Sequence, residues 1–287
     1  MIVMPANLLY SQGTAVSYSN IEWGVAMELK NTFNEVAGEY DKYRPSYPYQ
    51  LFHDILEYAQ LKPSDPILEI GCGTGQATKG FVDLGYDSVT CIELGQKLAE
   101  FTREKFKNNT NVSIINSSFE QWQSGKGIFD LAISATALHF IQPQQFGYRK
   151  VFDLLRDRGS IAFFWTVHVP SFNYVFKQIR ESYRKYAPNL DDADAPSVEK
   201  IIDERSVLTI KDGLFEDLIV KQYRWNDTYT ADEYISLLNT HSRHRILPDD
   251  VRVKLFENIK NAIDENGGTI IKPQAVALFL AKKKLVV

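Results

Sequence analysis

One short stretch, residues 66–75, constrains the fold of this chain more than any other part of it. The apolar residues at 67, 68 and 70 predict a short buried strand, and residues 76–84 have the apolar spacing of a helix. Between strand and helix, glycine occupies alternate positions. These glycines are Gly71, Gly73 and Gly75. Because glycine lacks Cβ, such a turn takes conformations closed to other residues and lets a ligand lie against the main chain. Strand, glycine turn and helix together predict the opening of a nucleotide-binding βαβ unit.

Two residues of this region indicate which ligand the turn holds. Glu69 stands at the strand end, where a carboxylate would repel a bound diphosphate. The dinucleotide pattern also requires glycine at the position that Gln76 occupies. Both features disfavour a nicotinamide cofactor and favour a ligand with a positive centre and no phosphate, such as S-adenosylmethionine. A tight glycine turn that holds no ligand is the alternative.

The sequence of residues 69–75 resembles the first motif of the class I S-adenosylmethionine-dependent methyltransferases, an acidic residue followed by Gly-x-Gly-x-Gly. The resemblance implies a doubly wound α/β fold with a seven-stranded sheet, whose last strand is antiparallel, and with helical additions that form a lid. It also implies that the cofactor is S-adenosylmethionine, converted to S-adenosylhomocysteine, and that the turn binds it. The implied contacts are Glu69, Gly71, Gly73 and Gly75.

An aromatic arm precedes this motif. Apolar residues recur at helical spacing from Phe33 to Tyr40, and Pro45 ends the element. The arm is similar to that of a small-molecule subgroup related to trans-aconitate methyltransferase. The similarity implies that the arm, with Tyr40, folds over the cofactor and that Arg44 pairs with the cofactor carboxylate, since a guanidinium forks onto a carboxylate. A helix that only packs its aromatic rings on the core is the alternative.

Later strand ends supply further candidates for cofactor binding. Residues 88–93 predict a second strand that ends at Glu93, about 20 residues after the glycine turn, where such folds place an acid on ribose hydroxyls. A surface glutamate at the start of a helix is the alternative. By resemblance, Phe119 stacks on the adenine and Ser118 meets its edge. The remaining cofactor positions implied by the resemblance are Leu94, Ser134 and Ala135.

His139 is the histidine that the motifs place near the transferable methyl group. It follows the fourth predicted strand, 129–135, and ligands of open α/β sheets lie beyond the carboxyl ends of the strands at the topological switch point. A general base, a group that holds the acceptor and a structural histidine all fit this position. Trp165, in the fifth predicted strand, is interpreted as core or pocket wall.

A cluster of cations and hydroxyls at 240–245 is predicted to end a helix that begins after Thr230. The cluster either matches the negative end of the helix dipole or lines a site for an anionic acceptor. Arg243 and Arg245 are the candidate acceptor ligands. No metal site is predicted, because no cysteine or acid stands close to the nearby histidines.

Composition limits the class of protein and its partners. Of 287 residues 44% are hydrophobic, which suffices for a core, yet no apolar run approaches the ~20 residues of a membrane span. The net charge of -4 gives no electrostatic case for a nucleic acid or an anionic membrane. Two cysteines build no disulfide framework and the first residues show no signal peptide, so we expect a cytoplasmic monomer or homodimer with a small-molecule partner.

We predict an N-terminal extension at 1–30 and a single methyltransferase domain at 31–287, with helical insertions around 171–215 and 229–268. The predicted function is methyl transfer from S-adenosylmethionine to a small molecule, with a carboxylate as one candidate acceptor. A catalytically silent S-adenosylmethionine-binding protein and, with less support, an NAD-linked oxidoreductase are the alternatives.

Overall fold

The computed structural model describes residues 37–191 and 196–285, in which helices and strands alternate along much of the chain. The helices are α1 Ala37–Tyr43, α2 Tyr49–Ala59, α3 Gln76–Val82, α4 Gln96–Lys105, α5 Gln144–Leu154, α6 Tyr174–Tyr186, α7 Val198–Ile210, α8 Ala231–Asn239, α9 Ser242–Arg245 and α10 Asp249–Asp264. The strands are β1 Ile67–Ile70, β2 Val89–Glu93, β3 Val112–Asn116, β4 Phe129–Ala135, β5 Leu155–Val167, β6 Phe215–Thr230 and β7 Thr269–Lys283. The extension predicted at 1–30 and the start of the aromatic arm lie outside the described residues.

The seven strands form one sheet in the order β3-β2-β1-β4-β5-β7-β6. The pairs β1 with β2, β1 with β4, β2 with β3 and β4 with β5 are parallel. β7, the last strand of the chain, runs antiparallel, so the predicted doubly wound α/β fold is confirmed. The strand order reverses between β1 and β4. Ligands of open α/β sheets bind at such a reversal, beside the carboxyl ends of the strands.

Burial on both faces explains the apolar character of the central strands. All four residues of β1 are buried, and five of the seven residues of β4 are buried as well. A parallel strand covered by helices on both sides exposes neither face to water, so apolar residues run through it without alternation. The glycine turn therefore starts from a rigid, wholly internal strand.

The start of β5 differs from the prediction. The sequence at 157–160 predicts a turn before a strand at Ile161, but β5 begins at Leu155, directly after α5. Arg158 has a φ of 69° within this strand, and the register against β4 shifts nearby. A polar, glycine-containing sequence is typical of a turn, but here it occurs at a local irregularity within a continuous strand.

The end of α8 also differs from the prediction. A threonine at 230 followed three residues later by Glu233 predicts a capping box at its start, and the structure confirms it, since the two residues cap each other reciprocally. However, α8 ends at Asn239, before the cationic cluster, and the one-turn helix α9 follows. His241 has an extended conformation that interrupts the helix, with φ of -85° and ψ of 126°. The cluster consequently does not form the end of α8.

The chain divides into two compact units, each built from three segments. The sheet unit contains Ser46–Thr166, Glu199–Tyr223 and Val276–Val287. The helical unit contains the described parts of Met1–Pro45, Val167–Val198 and Arg224–Ala275. The domain boundaries predicted from the sequence stay a prediction.

Each unit has its own core. In the sheet unit, wholly buried side chains include Leu68 of β1, Phe81 of α3 and Phe163 of β5. In the helical unit, Ile179 of α6 packs in one cluster with Ile259 of α10 and with residues of α8. Across the described part of the chain, no helix has both the length and the apolar character that a membrane crossing requires.

Candidate active site

The glycine turn after β1 leaves open space beside Gly73. Its three glycines have φ values of 71°, 57° and 77°, in the left-handed region that glycine favours. A Cβ added at Gly71 would lie 2.4 Å from the Cβ of Ala137, and one at Gly75 would lie 2.5 Å from Cε2 of Phe106. A Cβ at Gly73 would meet no atom within 4 Å. Internal packing therefore requires the outer two glycines, whereas the space at Gly73 can receive a ligand.

Helix α4 supports this turn by binding its carbonyl groups. Thr102 Oγ1 donates to the Gly73 carbonyl at 2.7 Å, and Lys105 Nζ donates to the Thr74 carbonyl at 3.0 Å. Thr102 is wholly buried. With their carbonyl oxygens bound from α4, the residues around Gly73 are held in one conformation.

Glu93 binds the opposite, donor side of the turn. One carboxylate oxygen, Oε2, accepts the N–H of Gly73 at 2.8 Å, and Oε1 accepts the N–H of Gly95 at 2.7 Å. Burial raises the pKa of this carboxyl, and the N–H groups of Gly95, Gly73 and Leu94 partly oppose the rise. Glu93 lies at the end of β2, where the sequence predicts it, and it orders the turn. Its contact with a ribose stays a prediction.

Glu69 is wholly buried in β1. Its Oε2 accepts a hydrogen bond from Thr78 Oγ1 of α3 at 2.5 Å. Burial raises the pKa of Glu69 to about 8; the nearby Glu93 adds to the rise and the Thr78 hydrogen bond opposes it. The carboxyl group is thus mostly neutral at pH 7. The repulsion of a diphosphate inferred from its charge is accordingly weak, and Gln76 becomes the stronger reason to disfavour a dinucleotide.

The candidates for adenine contact follow β3. Ser118 Oγ accepts the N–H of Gln121 at 3.2 Å, so this side chain closes a local turn. Phe119 is buried, and the Lys150 ammonium lies 4.9 Å from the centre of its ring and donates to its carbonyl at 2.6 Å. The stacking of Phe119 on an adenine stays a prediction.

The end of β4 is tied to the end of β1. Ser134 Oγ donates to the Ile70 carbonyl at 3.0 Å, and the half-buried Ala135 follows. Thr136 comes next, with a φ of 55°. Its Oγ1 accepts the N–H of Thr166 at 3.2 Å, which holds this conformation. A β-branched residue rarely adopts positive φ, and such strain is concentrated at functional sites.

His139 lies in a short 3-10 turn, Leu138–Phe140, and is wholly buried. The indole N–H of Trp165 donates to His139 Nδ1 over 3.1 Å. The guanidinium carbon of Arg205 lies 4.5 Å from the centre of the Trp165 ring. Trp165, interpreted from the sequence as core or pocket wall, therefore contacts the candidate catalytic histidine directly.

Four further candidates, Tyr40, Arg44, Arg243 and Arg245, lie in the helical unit. Arg44 Nε donates to Thr240 Oγ1 at 2.8 Å and its Nη2 to the Thr240 carbonyl at 3.1 Å. The Arg44 guanidinium carbon also lies 4.8 Å from the centre of the Tyr40 ring. Arg243 Nη2 donates to the Asn189 carbonyl at 2.5 Å. These contacts hold the guanidinium groups of Arg44 and Arg243 within the helical unit, and the predicted ligand roles of all four residues stay predictions.

The helical unit contains a cavity with a cationic part and an apolar part. Arg180 and Lys272 line it, and none of its described lining residues is acidic. The apolar part includes Phe176, Ile179 and Leu238. His244 also lines the cavity and forms a 2.8 Å hydrogen bond with Tyr183 through Nε2. Burial, with Arg243 and Arg44 nearby, lowers the pKa of His244 to about 3, so its imidazole is neutral.

Sequence reasoning missed the residues that support the turn and His139 from elsewhere in the chain. They are Thr78, Thr102, Lys105 and Arg205. Thr78 carries a local signal, since it is a polar residue next to the apolar positions of α3. The other three occupy ordinary helical positions, and only the tertiary structure brings them to the site.

The family model described as ribosomal RNA adenine dimethylase matches residues 49–149. This part contains the glycine turn and strands β1 to β4. Curated relatives extend the likeness over more of the chain. The malonyl-[acyl-carrier protein] O-methyltransferase of Acetivibrio thermocellus is 26% identical over 194 residues, covering 66% of this chain and 66% of the relative.

Two further relatives carry related names. The malonyl-[acyl-carrier protein] O-methyltransferase of Geobacter sulfurreducens is 24% identical and covers 55% of this chain and 58% of the relative. The juvenile hormone acid O-methyltransferase of Bombyx mori is 20% identical, and the match covers 71% of this chain and 76% of the relative. The matches thus span 66% and 58% of the two bacterial relatives, less than two thirds of the length of each.

Solved structures share the architecture at low sequence identity. The MccD protein superposes with a TM-score of 0.51 at 15% identity, covering 82% of this chain and 96% of that one. Phosphoethanolamine N-methyltransferase 2 of Haemonchus contortus, solved with S-adenosylhomocysteine, superposes with a TM-score of 0.52 at 14% identity. The superposition covers 88% of this chain and 58% of that one. The fold of this chain is therefore one found in solved methyltransferases.

Proposed function

We propose that this chain, which has the class I S-adenosylmethionine-dependent methyltransferase fold, transfers a methyl group from S-adenosylmethionine to a small molecule. The observation that carries the proposal is the open space at Gly73, in an ordered glycine turn at the switch point of the sheet. A Cβ would occupy that space, and a ligand held there lies against the backbone.

The described residues around the turn fit this cofactor. A buried carboxylate at the end of β2 suits ribose hydroxyls, because each carboxylate oxygen has a second lone pair besides the one bound by a backbone N–H. Phe119 and Ser118 follow β3, and Ser134 and Ala135 end β4. Arg44 and Tyr40 are proposed partners of the cofactor's amino-acid end.

The methyl transfer requires little from the protein beyond positioning of the cofactor and the acceptor. The cofactor supplies a methyl group on a sulfonium, which is already activated as a leaving group. When the cofactor is bound, an acceptor oxygen would attack this methyl carbon, and the electron pair of the broken carbon–sulfur bond would go to sulfur. A carboxylate acceptor is an anion at neutral pH, so it requires no base, and orientation of the two reactants provides the rate gain.

The cavity of the helical unit supports an acceptor that carries a carboxylate on an apolar body. Arg180 and Lys272 bring positive charge to a wall whose described residues include no acid. The cavity volume of about 70 Å³ leaves room for a short hydrocarbon group only. Relatives named for the O-methylation of a malonyl group and of an acid support the same class of acceptor. Arg243 and Arg245 are the alternative placement of the anion.

The decisive experiment measures S-adenosylhomocysteine formation across a panel of acceptors with wild-type protein. The panel includes carboxylic acids with and without apolar chains, amines, phenols and ribosomal RNA. Calorimetric titrations with S-adenosylmethionine and with NAD run in parallel. Product formation with an acid supports the proposal. Binding of S-adenosylmethionine without any turnover would indicate a silent binding protein, and binding of NAD alone would refute the cofactor assignment.

Glu93→Ala should weaken S-adenosylmethionine binding by roughly 1–3 kcal/mol, the scale of hydrogen bonds to a charged group. The variant loses the acceptor for the Gly73 and Gly95 N–H groups as well as the predicted ribose contact. Calorimetric titration gives the affinity, and Glu100→Ala, an exposed glutamate of α4, is the control. Equal affinity of the Glu93 variant and wild type would exclude the ribose role.

Arg180→Met should raise the KM for a carboxylate-bearing acceptor about tenfold and leave the affinity for S-adenosylmethionine unchanged, because it removes one cation from the cavity wall. Steady-state kinetics with the acid and with an uncharged analogue make the measurement, and the analogue should show no change. Arg243→Met is the matched comparison. If that variant alone raises the KM, the anion lies beside α9 instead.

A further inference from the structure

The hydrogen bond between Trp165 and His139 determines which nitrogen of the imidazole carries its proton. The indole N–H is a donor with no acceptor capacity, so the histidine nitrogen that faces it must present a lone pair. That nitrogen is Nδ1, at 3.1 Å from Trp165 Nε1. A neutral imidazole has one N–H, and with Nδ1 unprotonated the proton lies on Nε2.

This protonation state is incompatible with a general base. Nε2 already carries a proton, and protonation of Nδ1 would place two N–H groups against each other and break the hydrogen bond to Trp165. The ring can therefore donate a hydrogen bond from Nε2. It cannot take a proton from an acceptor at either nitrogen while the indole remains in place.

Trp165 is itself held in position from a distant helix. The guanidinium carbon of Arg205, on α7, lies 4.5 Å from the centre of the indole ring, within the range of a cation–π contact. Arg205 is only 3% exposed, and its Nη1 donates to Gln144 Oε1 of α5 at 3.0 Å. Trp165 also meets Phe163 and Phe279 edge to face. The indole N–H therefore points at the imidazole with little freedom to turn away.

Arg205 also disfavours a second proton on His139. It is a permanent cation that donates to the neutral amide of Gln144, and the neighbouring Glu204 offsets part of its charge. A positive charge over the face of the Trp165 ring opposes the formation of an imidazolium at the indole N–H. Electrostatics and hydrogen bonding thus favour the same neutral form of His139.

We propose that His139 serves the methyl acceptor as a fixed hydrogen-bond donor through Nε2, and that Trp165 and Arg205 are positioning residues that impose this state. The proposal rests on the proposed function, since it concerns the acceptor of the methyl group. A carboxylate has two oxygens; one would attack the methyl carbon while the other accepts the Nε2–H, and this position of the carboxylate replaces the one beside Arg180 and Lys272. No proton changes place, and the products are a methyl ester and the neutral thioether.

Nitrogen NMR of the full-length protein labelled in its histidines tests the protonation state without any acceptor. The chain has five histidines, and the spectrum of His139→Gln identifies the signals of His139. In wild type we expect an unprotonated Nδ1 and a protonated Nε2 that stay unchanged from pH 6 to pH 9. In Trp165→Phe, which keeps an aromatic ring, we expect a mixture of the two tautomers. A protonated Nδ1 in wild type, or a titration within this range, would overturn the proposal.

Kinetics of two variants then separate a donor from a base. His139→Gln keeps an N–H donor near the position of Nε2 and should retain kcat/KM within about fivefold of wild type, whereas His139→Ala should lose about 10–100-fold, as expected for one hydrogen bond to a charged group. Equal loss in both variants, with melting temperatures like that of wild type, would contradict a donor role. If wild type methylates no acceptor, the proposed function fails and this role with it, while the nitrogen spectra still decide the tautomer.

Discussion

Gly73→Val is expected to lower the affinity for S-adenosylmethionine at least about a hundredfold, or about 2.7 kcal/mol, while the protein stays folded. A Cβ at Gly73 meets no protein atom within 4 Å, so the substitution fills the space of the ligand and leaves the core intact. The left-handed φ of 57° adds a strain of about 1–2 kcal/mol, which lowers stability without unfolding the sheet unit.

Gly85→Val is the matched control for this strain. Gly85 follows α3, has a φ of 85°, and a Cβ added there would likewise meet no atom within 4 Å, but it lies outside the glycine turn. Both variants should melt at similar temperatures, and Gly73→Val alone should lose the ligand in calorimetric titrations. Gly75→Val, whose Cβ would lie 2.5 Å from Phe106, should lower the melting temperature more than either. Wild-type affinity in Gly73→Val would refute the assignment of the turn to the cofactor.

Glu69→Gln is expected to remove a large part of the pH dependence of stability. The pKa of Glu69 is about 8 in the folded protein, while an unfolded glutamate titrates near its ordinary value of 4.5. Between these values the folded state holds the extra proton, so the free energy of unfolding falls as pH rises. The stabilisation of the folded state by the neutral carboxyl is complete below the unfolded pKa of 4.5. It decreases as pH rises above that value and is lost once pH has passed through about 8. Its size is on the order of a few kcal/mol.

Thermal or urea unfolding from pH 5 to pH 9 makes this measurement. The glutamine side chain keeps the shape and an acceptor oxygen for the Thr78 hydroxyl but cannot ionise. Wild type should therefore lose stability relative to Glu69→Gln as pH increases, most steeply midway between the unfolded pKa of 4.5 and the folded pKa of about 8, and the loss should level off above pH 8. Glu100→Gln, at an exposed position of α4, should follow wild type throughout. Parallel pH curves for wild type and Glu69→Gln would show that burial does not hold this carboxyl neutral.

The parts of the site that could be predicted are those determined locally. The glycine turn is specified by residues adjacent in sequence, and β1 and β4 appear as apolar runs because both of their faces are buried. Glu93 was identified as the acid at the end of β2 because it lies about 20 residues after the glycine turn, where such folds place an acid on ribose hydroxyls. The protonation of Glu69 was not predictable in this way, because it depends on complete burial and on Thr78 of the next helix.

The environment of His139 was hidden from the sequence for a different reason. His139 and Trp165 are 26 residues apart, and the parallel register of β4 with β5, which pairs Ala135 with Phe164, brings them together. The register of β4 with β5 could not be predicted from either residue, because the connection between the two strands passes through α5. The helix boundary at Asn239 was missed because local propensity did not reveal the extended conformation of His241.

Strands β5, β6 and β7 each continue from the sheet unit into the helical unit, with divisions after Thr166, Tyr223 and Ala275. No single cut in the sequence separates the units, and three of the divisions lie inside hydrogen-bonded strands. The helical unit therefore cannot be exchanged between relatives as one continuous piece of sequence. A single crossover would interrupt a strand or leave a segment of that unit behind. A designed chimera that exchanges the helical unit therefore requires several junctions that match at once.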